Sequence, residues 1–92
     1  MSVFAVQYQY VPDADLVNAI RPAHRAWLQE QLDGGSLLAS GPLVDYPGAL
    51  LVWRAESVEA VNELLNQDPF DIAGLIDERE IREWLPVFGP FN

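Results

Sequence analysis

The stretch Leu75 to Leu85 (LIDEREIREWL) decides between two architectures. Ile81, Trp84, Leu85 and Phe88 recur at helical spacing, and Glu and Arg are abundant, so local propensity favours a helix. Read as a strand, the segment puts Leu75, Ile81 and Leu85 on one face, with Asp77, Arg79 and Glu83 beside them. The strand reading gives the order β-α-β-β-α-β, the split-βαβ or ferredoxin-like α+β plan, in which two helices cover one face of an antiparallel sheet.

The segments before it supply the remaining elements. Ser2 to Tyr10 (SVFAVQYQY) is a strand, with Phe4, Val6, Tyr8 and Tyr10 on one face. Pro12-Asp13-Ala14-Asp15 ends it and offers acids to a helix start. Pro22 lacks an N–H and disfavours helical backbone at Arg21, so the helix is expected to begin at Pro22. From there His24, Trp27, Leu28 and Gln31 form one stripe, and Gly34-Gly35 closes the helix. Leu37 to Leu43 and Ala49 to Ala55 read as a hairpin around Asp45-Tyr46-Pro47-Gly48. Ser57 caps a second helix running to about Asn66, with Val58, Val61, Leu64 and Leu65 facing inward. Asp68-Pro69 begins a short turn ending at Gly74.

In the third strand Leu50 and Val52 point one way and Leu51 and Trp53 the other. The second strand is expected to repeat this, with Leu37 and Ala39 opposed to Leu38. A sheet with one wet face alternates apolar with polar, so a second copy is expected to cover the helix-free face and make a homodimer.

Composition narrows the partners. The 92 residues suit one domain, 1–92; half of them are hydrophobic and 21% charged, as in globular chains. The formal charge of −9 disfavours nucleic acid and anionic membrane as partners. Without lysine there is no Schiff base; without cysteine there is no disulfide or thiolate catalysis. One histidine and scattered carboxylates give no metal-ligand spacing. No basic-then-apolar leader precedes Val3, and the longest apolar run, Ala49 to Trp53, is far too short for a bilayer. The expectation is a soluble, cytoplasmic chain.

His24 is the only histidine, so imidazole acid–base work falls to it. Its bland reading is a partly buried helix histidine. Asp68 reads first as a helix cap, and a capping carboxylate is also able to accept an imidazole N–H. Ser40-Gly41-Pro42 puts a hydroxyl and a permissive backbone at a strand end, where Gly41 either allows a ligand close or simply ends the strand. Tyr8 and Tyr10 either line a pocket or pack. Arg79 either binds an anion or pairs with a glutamate, and the second is expected.

Arg21-Pro22-Ala23-His24 with Leu28, Gly35 to Pro42, Asp68-Pro69-Phe70, Gly74-Leu75 and Ile81-Arg82-Glu83-Trp84 together resemble the YCII-related (YciI-like) family from Val3 to about Gly89. The resemblance implies a ferredoxin-like α+β fold of the dimeric α/β-barrel type. It therefore makes the segment from about Leu75 to Trp84 a fourth strand. It also implies a histidine–aspartate pair, His24 and Asp68, in a pocket near the sheet, which Ser40 and Gly41 would then line as substrate-binding residues. Tyr8, from the reading of the first strand, is the third substrate-binding candidate.

A related dehydrochlorinase and a fold-level likeness to muconolactone isomerases suggest lyase or isomerase chemistry. The leading expectation is an enzyme in which His24, oriented by Asp68, moves a proton on a small polar or cyclic organic substrate. No metal, nucleotide or organic cofactor is implied. The competing reading is a non-catalytic small-molecule-binding or dimerisation/interaction module, and a third is an interaction domain for another protein.

Overall fold

The computed structural model describes residues 1–92. Its elements are β1 (Ser2–Tyr10), α1 (Ala14–Asp33), β2 (Leu37–Pro42), β3 (Gly48–Ala55), α2 (Val58–Leu65), α3 (Pro69–Ile72) and β4 (Ile76–Trp84). The four strands pair antiparallel in the order β2-β3-β1-β4, which is the ferredoxin-like arrangement. Leu75 to Trp84 therefore follows the strand reading over its helical propensity. Pairing with the full length of β1, from Val3↔Trp84 to Tyr10↔Ile76, outvotes the local preference.

The core lies between the sheet and the helices. Phe4, Val6 and Tyr8 of β1 and Ala49, Leu51, Trp53 and Ala55 of β3 meet Trp27 of α1 and Val61 and Leu65 of α2. A smaller cluster of Val17, Phe70 and Leu75 fills the end where α1 meets α3. Val58, expected to face inward, is 40% exposed, while Ala60, Val61, Leu64 and Leu65 pack against the core.

α1 starts eight residues before the expected Pro22. The Asp13 side chain accepts the Leu16 N–H and caps the helix, and Pro22 lies inside it. The proline removes one backbone donor, whose partner would be the exposed carbonyl of Asn18. The helix continues because Val17, Ile20, His24 and Trp27 keep one packed stripe across the interruption. Beyond Asp33 the chain leaves the helix through Gly35, whose φ of +89° suits glycine.

The β2–β3 pairing shifts register between Leu37 and Ala39. Leu37 faces Trp53 and Ala39 faces Val52, so these two side chains lie on opposite faces, not on one as simple alternation implied. The bulge also turns Ser40 to the side of its partner Leu51, which is the helix-covered face. At the start of β3, a Cβ on Gly48 would lie 1.9 Å from the Tyr8 carbonyl oxygen, so only glycine fits.

On the helix-free face, Val3, Ala5, Val52, Leu50 and Trp84 form an apolar strip flanked by Gln7, Arg82 and Glu80. Leu50 and Trp84 are 42% and 41% exposed. No helix is long and apolar enough to cross a membrane.

Candidate functional site

Asp68 ends the α2–α3 link in extended backbone, and its carboxylate caps α3 by accepting the Phe70 N–H at 2.9 Å. The same oxygen, Oδ1, lies 2.7 Å from Nδ1 of His24 on α1. The other oxygen accepts the Tyr8 hydroxyl at 2.9 Å. Asp68 is wholly inaccessible to solvent, so these three donors replace the water that a buried carboxylate loses. The cap and the imidazole partner are thus one group performing both tasks.

The His24 ring is held on its faces as well. It stacks on Phe70 at 4.0 Å between ring centres and 16° between planes, and Phe70 meets the Tyr10 ring edge-on at 5.2 Å. With Nδ1 directed at a carboxylate that only accepts, the proton belongs on Nδ1. Nε2 then carries the free lone pair, and it has no protein partner.

His24 lines a cavity of about 560 Å³ between α1 and β2, within the range of small-molecule sites. The wall on the α1 side is Arg21, His24, Arg25, Leu28 and Leu32, and the opposite wall runs along β2 from Leu37 to Pro42. Ser40 and Gly41 both belong to that wall, and a Cβ at Gly41 would meet no atom within 4 Å. Tyr8 is placed differently from the pocket-lining position expected of it. It is buried beneath Asp68, and burial together with the Asp68 charge pushes its hydroxyl far above the usual tyrosine range. Tyr10, two residues on, reaches the cavity instead. Arg79 does not pair with a glutamate. Its guanidinium bonds Asn62 of α2, the C-capping Asn66 and the carboxylate of Asp71, tying β4 to the helices.

Arg21 and Arg25 are cavity residues that reading the sequence missed. With His24 and Leu28 they follow the i, i+3, i+4, i+7 spacing of one helix face. Starting the helix at Pro22 placed Arg21 outside it and broke that pattern.

A family model for the YCII-related domain matches residues 2–85. Protein YciI of Escherichia coli O6:H1 is 32% identical over 80 residues, which span 76% of this chain and 82% of that protein. Protein YciI of Shigella flexneri gives the same figures. Among solved structures, the fold is similar to that of 5-chloro-2-hydroxyhydroquinone dehydrochlorinase from Burkholderia phenoliruptrix AC1100, in complex with 2,5-dihydroxybenzoquinone. That likeness has a TM-score of 0.80 and 24% identity, over 90% of this chain and 93% of the other. A NIPSNAP family protein from Agrobacterium tumefaciens is similar with a TM-score of 0.60 and 20% identity, over 98% and 97% of the two chains.

Fold and site together define a ferredoxin-like α+β protein carrying a buried histidine–aspartate pair. The chain belongs to the YCII-related family.

Proposed function

We propose that this protein is a cofactor-independent lyase or isomerase acting on a small polar or cyclic organic molecule held between α1 and β2. One observation carries the reading: His24 gives Nδ1 to Asp68 and lines the cavity with its other nitrogen unpartnered. His24 is the general base. Nε2 takes a proton from a C–H or O–H of the substrate, and the electron pair left behind forms a new C=C or C=O bond. In an elimination the pair displaced from the neighbouring bond departs with the leaving group. In an isomerisation the imidazolium returns its proton at another carbon. Asp68 holds the ring orientation and stabilises the imidazolium. Ser40 supplies a hydroxyl to the substrate, and Gly41 leaves room for it.

The fold likeness to a dehydrochlorinase in complex with a six-membered quinone supports a ring compound as the substrate. The test is to follow C–H exchange of 2,5-dihydroxybenzoquinone in deuterium oxide and chloride release from 5-chloro-2-hydroxyhydroquinone, comparing wild type with His24→Asn. The reading expects turnover of at least one, falling by about a hundredfold or more in the variant. Turnover that the variant leaves unchanged contradicts it.

The apolar strip through Leu50, Val52 and Trp84 supports assembly as a homodimer through the helix-free face. Sedimentation of wild type against Leu50→Arg tests this, with a dimer becoming a monomer as the expected result.

A further inference from the structure

The chain carries fourteen acids against five arginines, yet no aspartate or glutamate lines the cavity beside His24. Two of the five arginines line it instead, Arg21 and Arg25, four residues apart on one face of α1. Where the other cations go makes the placement informative. Arg79 is paired with Asp71 and Arg82 with Glu80, and the remaining Arg54 is unpaired but exposed to water. Arg21 and Arg25 take part in no ion pair, although acids outnumber them throughout the surface.

Arg21 is half-buried, and its Nε is buried with no hydrogen-bond partner. A guanidinium brought partly out of water and given no protein acceptor is costly unless something else supplies one. Burial and the Asp68 charge push the Tyr10 hydroxyl up, and the charges of Arg21 and Arg25 pull against them. Tyr10, Arg21 and Arg25 all line the same cavity. The buried Asp68 carboxylate is already occupied by His24, Tyr8 and Phe70.

We infer that the cavity selects a substrate bearing a carboxylate, which Arg21 and Arg25 clamp while the rest of the molecule extends along β2 toward His24. This deepens the proposed function and rests on its reading of the cavity as the substrate site. A carboxylate matches the planar fork of guanidinium, accepting paired hydrogen bonds from one arginine and charge from the other. Leu28, Leu37 and Leu38 then meet the apolar skeleton. The clamp fixes the molecule before any proton moves, so its loss is felt mainly in binding and KM.

The test uses two probes that differ only in charge, 2,5-dihydroxybenzoate and its neutral amide, 2,5-dihydroxybenzamide. Binding is measured by calorimetry and by amide chemical-shift changes along β2, with wild type, Arg21→Gln, Arg25→Gln and the double variant. Arg54→Gln serves as the control, since Arg54 is exposed and outside the cavity. The expected result is at least tenfold tighter binding of the acid than of the amide. That preference shrinks in each single cavity variant, disappears in the double one and persists in Arg54→Gln. Near-equal binding of acid and amide at the cavity overturns the carboxylate inference and leaves the proposed site standing. Binding of neither probe at the cavity overturns both. A preference that Arg54→Gln weakens as much as the cavity variants shows only a general charge effect and also overturns the inference. Folding of each variant is checked by its amide spectrum, and Arg21→Lys and Arg25→Lys, which keep the charge without the fork, are expected to retain part of the preference.

Discussion

Oδ1 of Asp68 lies 2.7 Å from Nδ1 of His24 and accepts the Phe70 N–H at 2.9 Å, so one oxygen both caps α3 and holds the imidazole. The two partners are 44 residues apart in the chain. The site is therefore built from the same bond that anchors α3, and perturbing either function disturbs the other.

Replacing Asp68 tests how much stability this sharing carries. Asp68→Ala strands the Tyr8 hydroxyl, the Phe70 N–H and the His24 Nδ1–H without an acceptor in a dry interior. Urea unfolding is expected to show a loss of roughly 3–5 kcal/mol. Asp68→Asn keeps a capping oxygen and is expected to lose clearly less.

Tyr8 sets an alkaline limit. Its ionisation is pushed above the unfolded value of 10.0 by burial first and then by the Asp68 charge. The neutral hydroxyl's contribution is thus fully present below the unfolded value. Above it the unfolded chain releases a proton that the native chain keeps, so stability is lost as pH rises toward the folded value. Melting followed from neutral pH to above 10 is expected to fall steeply in wild type and less steeply in Tyr8→Phe. At neutral pH the phenylalanine variant is less stable by about 1–2 kcal/mol, since one Asp68 oxygen loses its donor.

Pro22 is an exposed proline inside α1. Pro22→Ala restores the missing backbone donor four residues beyond Asn18, and part of that gain is offset by a freer unfolded chain. Thermal unfolding is expected to show a gain of about 1–2 kcal/mol.

At Gly48 the expected effect has the opposite sign. Gly48→Ala drives a Cβ into the Tyr8 backbone, which has no flexible end to move aside. The β1–β3 register must open, and a loss of about 3 kcal/mol or more, or failure to fold, is expected in urea unfolding.

Much of this architecture was legible because hydrophobic alternation survives in the central strands. Phe4, Val6 and Tyr8, and Leu51 with Trp53, read directly as the core face. Ser57 and Asp68 were legible as caps because their side-chain oxygens precede helical segments. β4 was not legible from propensity, because as an edge strand half exposed to water it is rich in Glu and Arg. The family resemblance, not periodicity, pointed to its strand. The start of α1 and the arginine face of the cavity are hidden because Pro22 disfavours helix locally, while tertiary packing carries the helix through it. The bulge that turns Ser40 inward leaves no trace in the residue pattern of β2.

The central claim is that Asp68 fixes His24 with its proton on Nδ1 and its acceptor, Nε2, toward the cavity. With one histidine in the chain, nitrogen-15 imidazole spectra at mildly alkaline pH report that ring alone. The expected result is the Nδ1–H tautomer in wild type, with mixed tautomers in Asp68→Asn. A wild-type ring protonated at Nε2, or an identical tautomer balance in the variant, contradicts it.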